Sequence, residues 1–227
     1  MALYGSAFMI MWHDITPEYE AEYHHWHSRQ HMPERLDHPG FLRSRRGVNR
    51  ASERQRYFTL YECETLEALL SENYAKSLDY PTEWTIRMAP NFRNFLRMAC
   101  TVDLTLGRGV GGALCTLRGD LPAGMDEAAL RRSIESKMSE MADMPLICGI
   151  HLAFTREEYS NNRTRETELR PPMAENPFEF VLIAESFGLR ELEELMPVAQ
   201  KMLDEAGCTS LVGQTYDMAY TISDDAR

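Results

Sequence analysis

The sequence predicts an α+β fold made of one βαββαβ arrangement used twice, first in residues 1–107 and again in 108–227. Two observations predict it. The order of apolar and amphipathic segments from Ala7 to Leu106 recurs from Val110 to Ile222, and the strand-type runs are apolar on both faces, so neither side of a sheet is left for solvent.

The run Phe8 to His13 reads as the first strand. Thr16 suits an N-cap and Pro17 a first helical residue, opening a helix with Tyr19, Tyr23 and Trp26 on one stripe. Pro33 disfavours helical geometry at Met32, which places His31 in the last turn of that helix. After the Pro39-Gly40 turn, Phe41 to Val48 and Arg56 to Cys63 read as strands, Leu66 to Tyr74 as a helix and Phe95 to Leu106 as the closing strand. The aromatic segment Asn73 to Phe92, with Tyr74, Tyr80, Trp84 and two prolines, reads as irregular, either a flap over a cavity or extra core. The second arrangement runs through Val110 to Leu117, a helix from Asp126 to Ala142, Leu146 to Phe154, Phe178 to Phe187, a helix from Arg190 to Ala206 closed by Gly207, and Leu211 to Ile222. The polar stretch Tyr159 to Asn176 reads as a surface excursion or lid. Gly107 to Gly112 precedes a strand rather than a helix and reads as a linker, not a phosphate loop.

Each arrangement is a ferredoxin-like split βαβ unit, a four-stranded antiparallel sheet with two helices on one face. The uncovered faces must also be buried, so the two repeats are expected to pack sheet to sheet as an α+β barrel. On the first strand Phe8, Ile10 and Trp12 alternate with Ala7, Met9, Met11 and His13; on the third, Phe58 and Leu60 alternate with Tyr57, Thr59 and Tyr61. The first sets are assigned to the helices, and the second, with their Tyr and His, to the interior between the sheets.

The doubled order, together with Trp26, His31-x-Pro33 and Pro39-Gly40-Phe41, resembles the dimeric α+β barrel superfamily and within it the EthD-like proteins, in tandem form. The first helix of the second repeat, Glu127 to Ile134, has no histidine, so the resemblance implies a site built on the first repeat, with His31 facing a cavity. That superfamily includes isomerases, cyclases, cofactor-free oxygenases, haem enzymes and proteins of no known activity, so the fold leaves the reaction open.

A formal net charge of -11 argues against nucleic acid and anionic membrane surfaces as partners. No apolar run is long enough to span a bilayer, and Cys63, Cys100, Cys115, Cys148 and Cys208 are isolated in apolar runs, as in a cytoplasmic protein with reduced thiols. The expected partner is a small-molecule substrate, with a homodimer of the tandem barrel as a further assembly.

The chemistry-bearing residues are concentrated. Five of the seven histidines lie between His24 and His38, with His13 upstream. His31 is the first candidate for a general acid/base, favoured in its protonated form by the end of its helix; the competing reading is a C-capping histidine. His13 is assigned to the same interior as Met9 and Met11, where it is either a second catalytic group or a core histidine. Tyr61 completes the catalytic set as a phenol that polarises a substrate oxygen, and Tyr57, Trp26, Met9, Met11, Arg46 and Trp84 are the expected substrate-binding residues. In the basic run Arg43, Arg45, Arg46 and Arg50, one arginine reaches the cavity to hold a carboxylate and a solvated edge strand accounts for the others. His24, His27 and His31 share a helical face, but the nearby carboxylates Glu20 and Glu34 lie on the same helix or at its end, so no metal site is assigned. His25 is expected to be exposed, His38 to stabilise its turn and His151 to be structural.

The functional expectation is a cofactor-independent isomerase, lyase or decarboxylase acting on a small aromatic or lactone-like metabolite, with no cofactor. A haem or metal enzyme using a first-helix histidine is one alternative, and a non-catalytic ligand-binding or stress-response protein is another.

Overall fold

The computed structural model describes residues 2–160 and 163–223. The first repeat consists of strand β1 (Ala7–Ile15), helix α1 (Glu20–Trp26), a π-helical turn (His27–His31), helix α2 (Met32–Leu36), β2 (Phe41–Val48), β3 (Tyr57–Cys63), short helices α3 (Glu72–Asp79) and α4 (Glu83–Met88), and β4 (Phe92–Gly107). The second consists of β5 (Ala113–Asp120), α5 (Glu127–Ala142), β6 (Ile147–Thr155), α6 (Glu157–Ser160), α7 (Arg165–Leu169), β7 (Phe180–Ser186), α8 (Leu189–Glu205) and β8 (Thr209–Ser223). The hydrogen-bonded strand order β1-β3-β2-β8-β5-β7-β6-β4 closes on itself as an eight-stranded barrel, and the pairs within each repeat are antiparallel.

The chain forms two compact units, one of Tyr4–Cys100 with Arg156–Pro177 and the chain from Ala219, the other of Thr101–Thr155 and Phe178–Met218 with the first residues. In the second unit, Asp126 caps α5 by accepting from the Ala129 N–H at 2.7 Å, and Leu130, Ile134, Met138 and Met141 form its buried stripe. That stripe packs with Leu192, Leu195 and Ala199 of α8 and with Cys115, Leu152 and Leu182 of the sheet.

In the first unit the helical run does not end before Pro33. Met32 donates its N–H to the His27 carbonyl, five residues back, and this wider turn lets the chain continue through Pro33 as the second residue of α2. The run ends at Leu36, and the turn that follows closes at Gly40, whose φ is +89° and whose missing side chain leaves room for Ala68, 2.8 Å from where a Cβ would lie. The segment expected to be irregular is two helices, each capped by a hydroxyl: Ser71 accepts from the Tyr74 N–H and Thr82 from the Thr85 N–H. Tyr80, for its part, is exposed. The polar excursion after β6 is anchored to the first unit: Ser160 Oγ accepts from the Ala99 N–H at 2.9 Å, and the Ala174 N–H donates to the Phe95 carbonyl at 2.8 Å.

The face assignment on β1 and β3 is reversed. Ala7, Met9, Met11, Tyr57 and Tyr61 pack under the helices with Tyr23 and Trp26, while Phe8, Ile10, Trp12, Phe58 and Leu60 are fully buried on the other face. Size and apolarity do not distinguish two buried faces; the helix stripe, itself rich in His and Tyr, selects the polar face of the sheet. Arg43 and Arg45 lie in register with Glu62 and Leu60 on the face opposite the helices, and both are buried against the Glu62 carboxylate at 2.8 and 2.7 Å. They are not a solvated edge; Arg50 alone of the run is exposed. His151, with Thr105 Oγ1 3.2 Å from its Nδ1 and Glu185 3.6 Å from its Nε2, belongs to the corresponding buried face of the second unit.

Candidate active site

Three cross-strand rows form the floor of the site on the helix-covered face. Tyr57 lies between His13 and Val48, Thr59 between Met11 and Arg46, and Tyr61 between Met9 and Ser44. Above them, the α1 stripe and the π turn bring down Tyr23, Trp26, His27 and His31, all buried. His13 Nε2 shares a hydrogen bond with Tyr23 Oη at 2.9 Å, the Tyr23 ring stacks on His27 at 5.0 Å, and His27 stacks on His31 at 5.5 Å. His31 also lies 4.3 Å from the Trp26 indole, whose Nε1 donates to Thr85 Oγ1 at 3.3 Å.

Arg46 enters this array from β2. Its Nη1 is 3.2 Å from His27 Nδ1 and its Nη2 donates to Ser28 Oγ at 3.0 Å. A guanidinium only donates, so His27 Nδ1 accepts and the ring proton sits on Nε2, 3.4 Å from Tyr61 Oη. No carboxylate pairs with Arg46 among the described residues, and its buried Nε has no partner. Burial combined with Arg46 and the neighbouring imidazoles holds His27 well below the ordinary histidine pKa range. Burial does the same to His31, reinforced by Arg35, Arg170 and His13. His13 is lowered to about 3 by burial, then by Arg170 and Arg46. The three imidazoles are therefore neutral at physiological pH, which reverses the expected protonated state of His31: the residue lies inside a continuous helical run, where burial, reinforced by Arg35 and Arg170, sets its charge rather than a helix end.

His31 makes no side-chain hydrogen bond among the described residues, and its Nδ1 is buried without a partner, as is that of His13. A buried polar nitrogen with no partner is costly and rare. Tyr61 and Tyr23 are pushed up by burial and remain phenols.

Tyr57 donates its hydroxyl to the Glu20 carboxylate and has His24 Nε2 at 3.3 Å, so it faces the start of α1. Trp84 lies on the outer side of α1, with Nε1 donating to Glu22 at 3.0 Å and the ring against exposed His25, away from the histidine array. His24, His27 and His31 do not converge, and among the described residues no group of three His, Cys, Asp or Glu is placed to hold a metal ion.

Arg35, Arg170 and Glu166 are the parts of the site that sequence reading did not single out, whereas Phe92 was among the aromatic residues of the expected flap or extra core. Phe92 lies 4.7 Å from His13, and its ring is covered by the Arg170 guanidinium at 5.7 Å. Glu166, on the polar excursion, receives Arg35 at 2.6 Å and also pairs with Arg170. The one usable signal was the three arginines and three glutamates between Arg163 and Glu175 in a segment otherwise suited to solvent.

The sequence matches no protein-family model and no curated protein. The structure matches an anthrone oxidase-like protein at TM-score 0.64 and 13% identity, over 96% of this chain and 92% of the other. It matches a monooxygenase candidate from Lactobacillus acidophilus NCFM at 0.59 and 11%, over 96% of both chains. A third match is the chlorite dismutase of Candidatus Nitrospira defluvii, at 0.59 and 10%, over 96% and 92%. The fold is an α+β barrel. Within that barrel, the His–Tyr–Arg array occupies the helix-covered face of the first repeat, and the corresponding cluster of the second repeat is made of aliphatic, methionine, cysteine and phenylalanine side chains.

Proposed function

We propose that the chain is a small-molecule enzyme whose chemistry is proton transfer, with neutral His31 as the base. The observation that carries this reading is an imidazole with an unpartnered nitrogen that burial keeps neutral, with guanidinium groups beside it. Such a group accepts a proton from an activated C–H or O–H, its lowered basicity offset by the guanidinium groups, which stabilise the substrate anion formed. His13, linked to Tyr23, is the second proton-transferring group, and Tyr61 with His27 and Arg46 forms a donor array for the substrate oxygen. Trp26, Met9 and Met11 supply the apolar setting that suits an aromatic or lactone-like body. Return of the proton to another atom gives an isomerisation, and loss of a leaving group from the anion gives a lyase reaction. The EthD-like motif around His31 supports the same residue. The oxidase and monooxygenase names among the structural neighbours fit the same first step, since the carbanion left by proton removal is the species that reacts with dioxygen.

The test is deuterium incorporation from D2O into a panel of small aryl ketones and lactones, read by mass spectrometry. His31→Gln is expected to lose about 10² to 10⁴ in exchange rate with the fold retained. A loss of less than tenfold in His31→Gln with collapse in His13→Gln would move the base to the strand. A Soret band stoichiometric with the chain and absent from His31→Ala would replace this reading with a haem enzyme.

A further inference from the structure

A second feature of the first unit shares Arg170 with the histidine site but is built otherwise from residues that the proton-transfer reading does not use. β4 and the excursion after β6 enclose a cavity of about 280 Å³ that opens toward solvent beside the exposed Arg163. Phe95, Pro171, Pro172 and Met173 form its apolar walls, and Arg97 and Arg170 its charged end. Arg97 is only 7% exposed, yet among the described residues its guanidinium makes a single hydrogen bond, from Nη1 to the Ser160 carbonyl at 3.2 Å. The Arg170 Nε is buried with no partner. Arg35, Arg97 and Arg170 are gathered around one buried carboxylate, Glu166, which is held ionised below its ordinary range although burial alone would raise it. The other carboxylate at the cavity, Glu168, pairs with Arg163 at 2.6 Å. Burying guanidinium groups in excess of carboxylates is expensive unless a further anion completes the set.

We propose that this cavity binds the carboxylate of a small apolar acid, with Arg97 as its anchor. The forked donors of a guanidinium match a planar carboxylate, and Arg170 presents a second edge because Phe95 lies against its guanidinium at 5.4 Å. The apolar walls select an acid with a hydrophobic body over a bare inorganic anion. The volume lies at the lower end of the usual range for small-molecule pockets, which suits a single ring.

The experiment is calorimetric titration of the full chain with benzoate, benzamide and inorganic phosphate, so binding is read without turnover and independently of the histidine chemistry. Benzoate is expected to saturate one site per chain, with benzamide and phosphate each at least tenfold weaker. Arg97→Gln is expected to weaken benzoate at least tenfold while leaving the circular dichroism spectrum unchanged. Should that variant fail to fold, Arg97→Lys retains the charge and is expected to bind benzoate more weakly than wild type while still preferring it to benzamide. Equal affinity for benzoate and benzamide, equal affinity for phosphate, no detectable benzoate binding, or wild-type affinity in folded Arg97→Gln each overturns the proposal.

Discussion

Replacing Glu166 by Gln isolates the charge that holds the polar excursion against the first helical run. The carboxylate is 1% exposed and receives Arg35 at 2.6 Å and also Arg170, whose side chains are 2% and 7% exposed. The amide keeps the size but removes the charge, leaving two buried guanidinium groups without a counter-ion. Removing one partner of a buried ion pair costs about 3–5 kcal/mol, against a total stability of about 5–15 kcal/mol. In urea unfolding, with m at the upper end of about 1–3 kcal/mol/M, the midpoint should fall by about 1–2 M with m unchanged. The effect carries its own pH signature. The folded-state pKa of Glu166 lies below its ordinary 4.5, so its contribution is present above that value and is lost as pH falls through the folded value. The gap between wild type and Glu166→Gln must therefore narrow below pH 4.5. A destabilisation under about 1 kcal/mol at pH 7, or a gap independent of pH, would refute the role assigned to this carboxylate.

Two further outcomes follow from the same burial. Because His13, His27 and His31 are neutral when folded and titrate near 6.5 when unfolded, the unfolded state binds more protons below that value and stability falls as pH drops. Between pH 7.5 and 5 His13, lowered to about 3, should cost about 2 kcal/mol, and His27 and His31 act in the same direction, so the loss measured by urea unfolding across pH should exceed that figure; a flat profile contradicts it. Tyr23→Phe should cost about 1–3 kcal/mol by stranding His13 Nε2, whereas a neutral effect in thermal unfolding would show that the 2.9 Å hydrogen bond contributes little.

The strand and helix order was legible because each segment carries its own period and punctuation: Asp126 and Gly207 bracket helices, and Pro39-Gly40 marks the turn before β2. The histidine cluster was legible as a cluster, and His31, His13, Tyr61, Trp26, Met9, Met11 and Arg46 do meet on one face. What failed was anything decided by comparing two buried faces. Phe8, Ile10 and Trp12 are as apolar as a helix-facing set should be, and only the partner stripe on α1 shows that His13, Tyr57 and Tyr61 lie beneath it. The continuation past Pro33 depends on a π turn, which has no sequence marker, and so the charge state of His31 was inverted. Glu166 and Arg170 lie 131 and 135 positions from Arg35, and no local pattern brings such residues together.

The central claim is that a set of neutral imidazoles, with the His27 tautomer fixed by Arg46, lies under the first helical run. Long-range proton–nitrogen NMR of the histidine rings at pH 6 reads protonation and tautomer at each site directly. The account predicts that His13, His27 and His31 are singly protonated, with the His27 proton on Nε2 and its Nδ1 accepting from Arg46. A doubly protonated ring at any of the three, or a His27 proton on Nδ1, would contradict it.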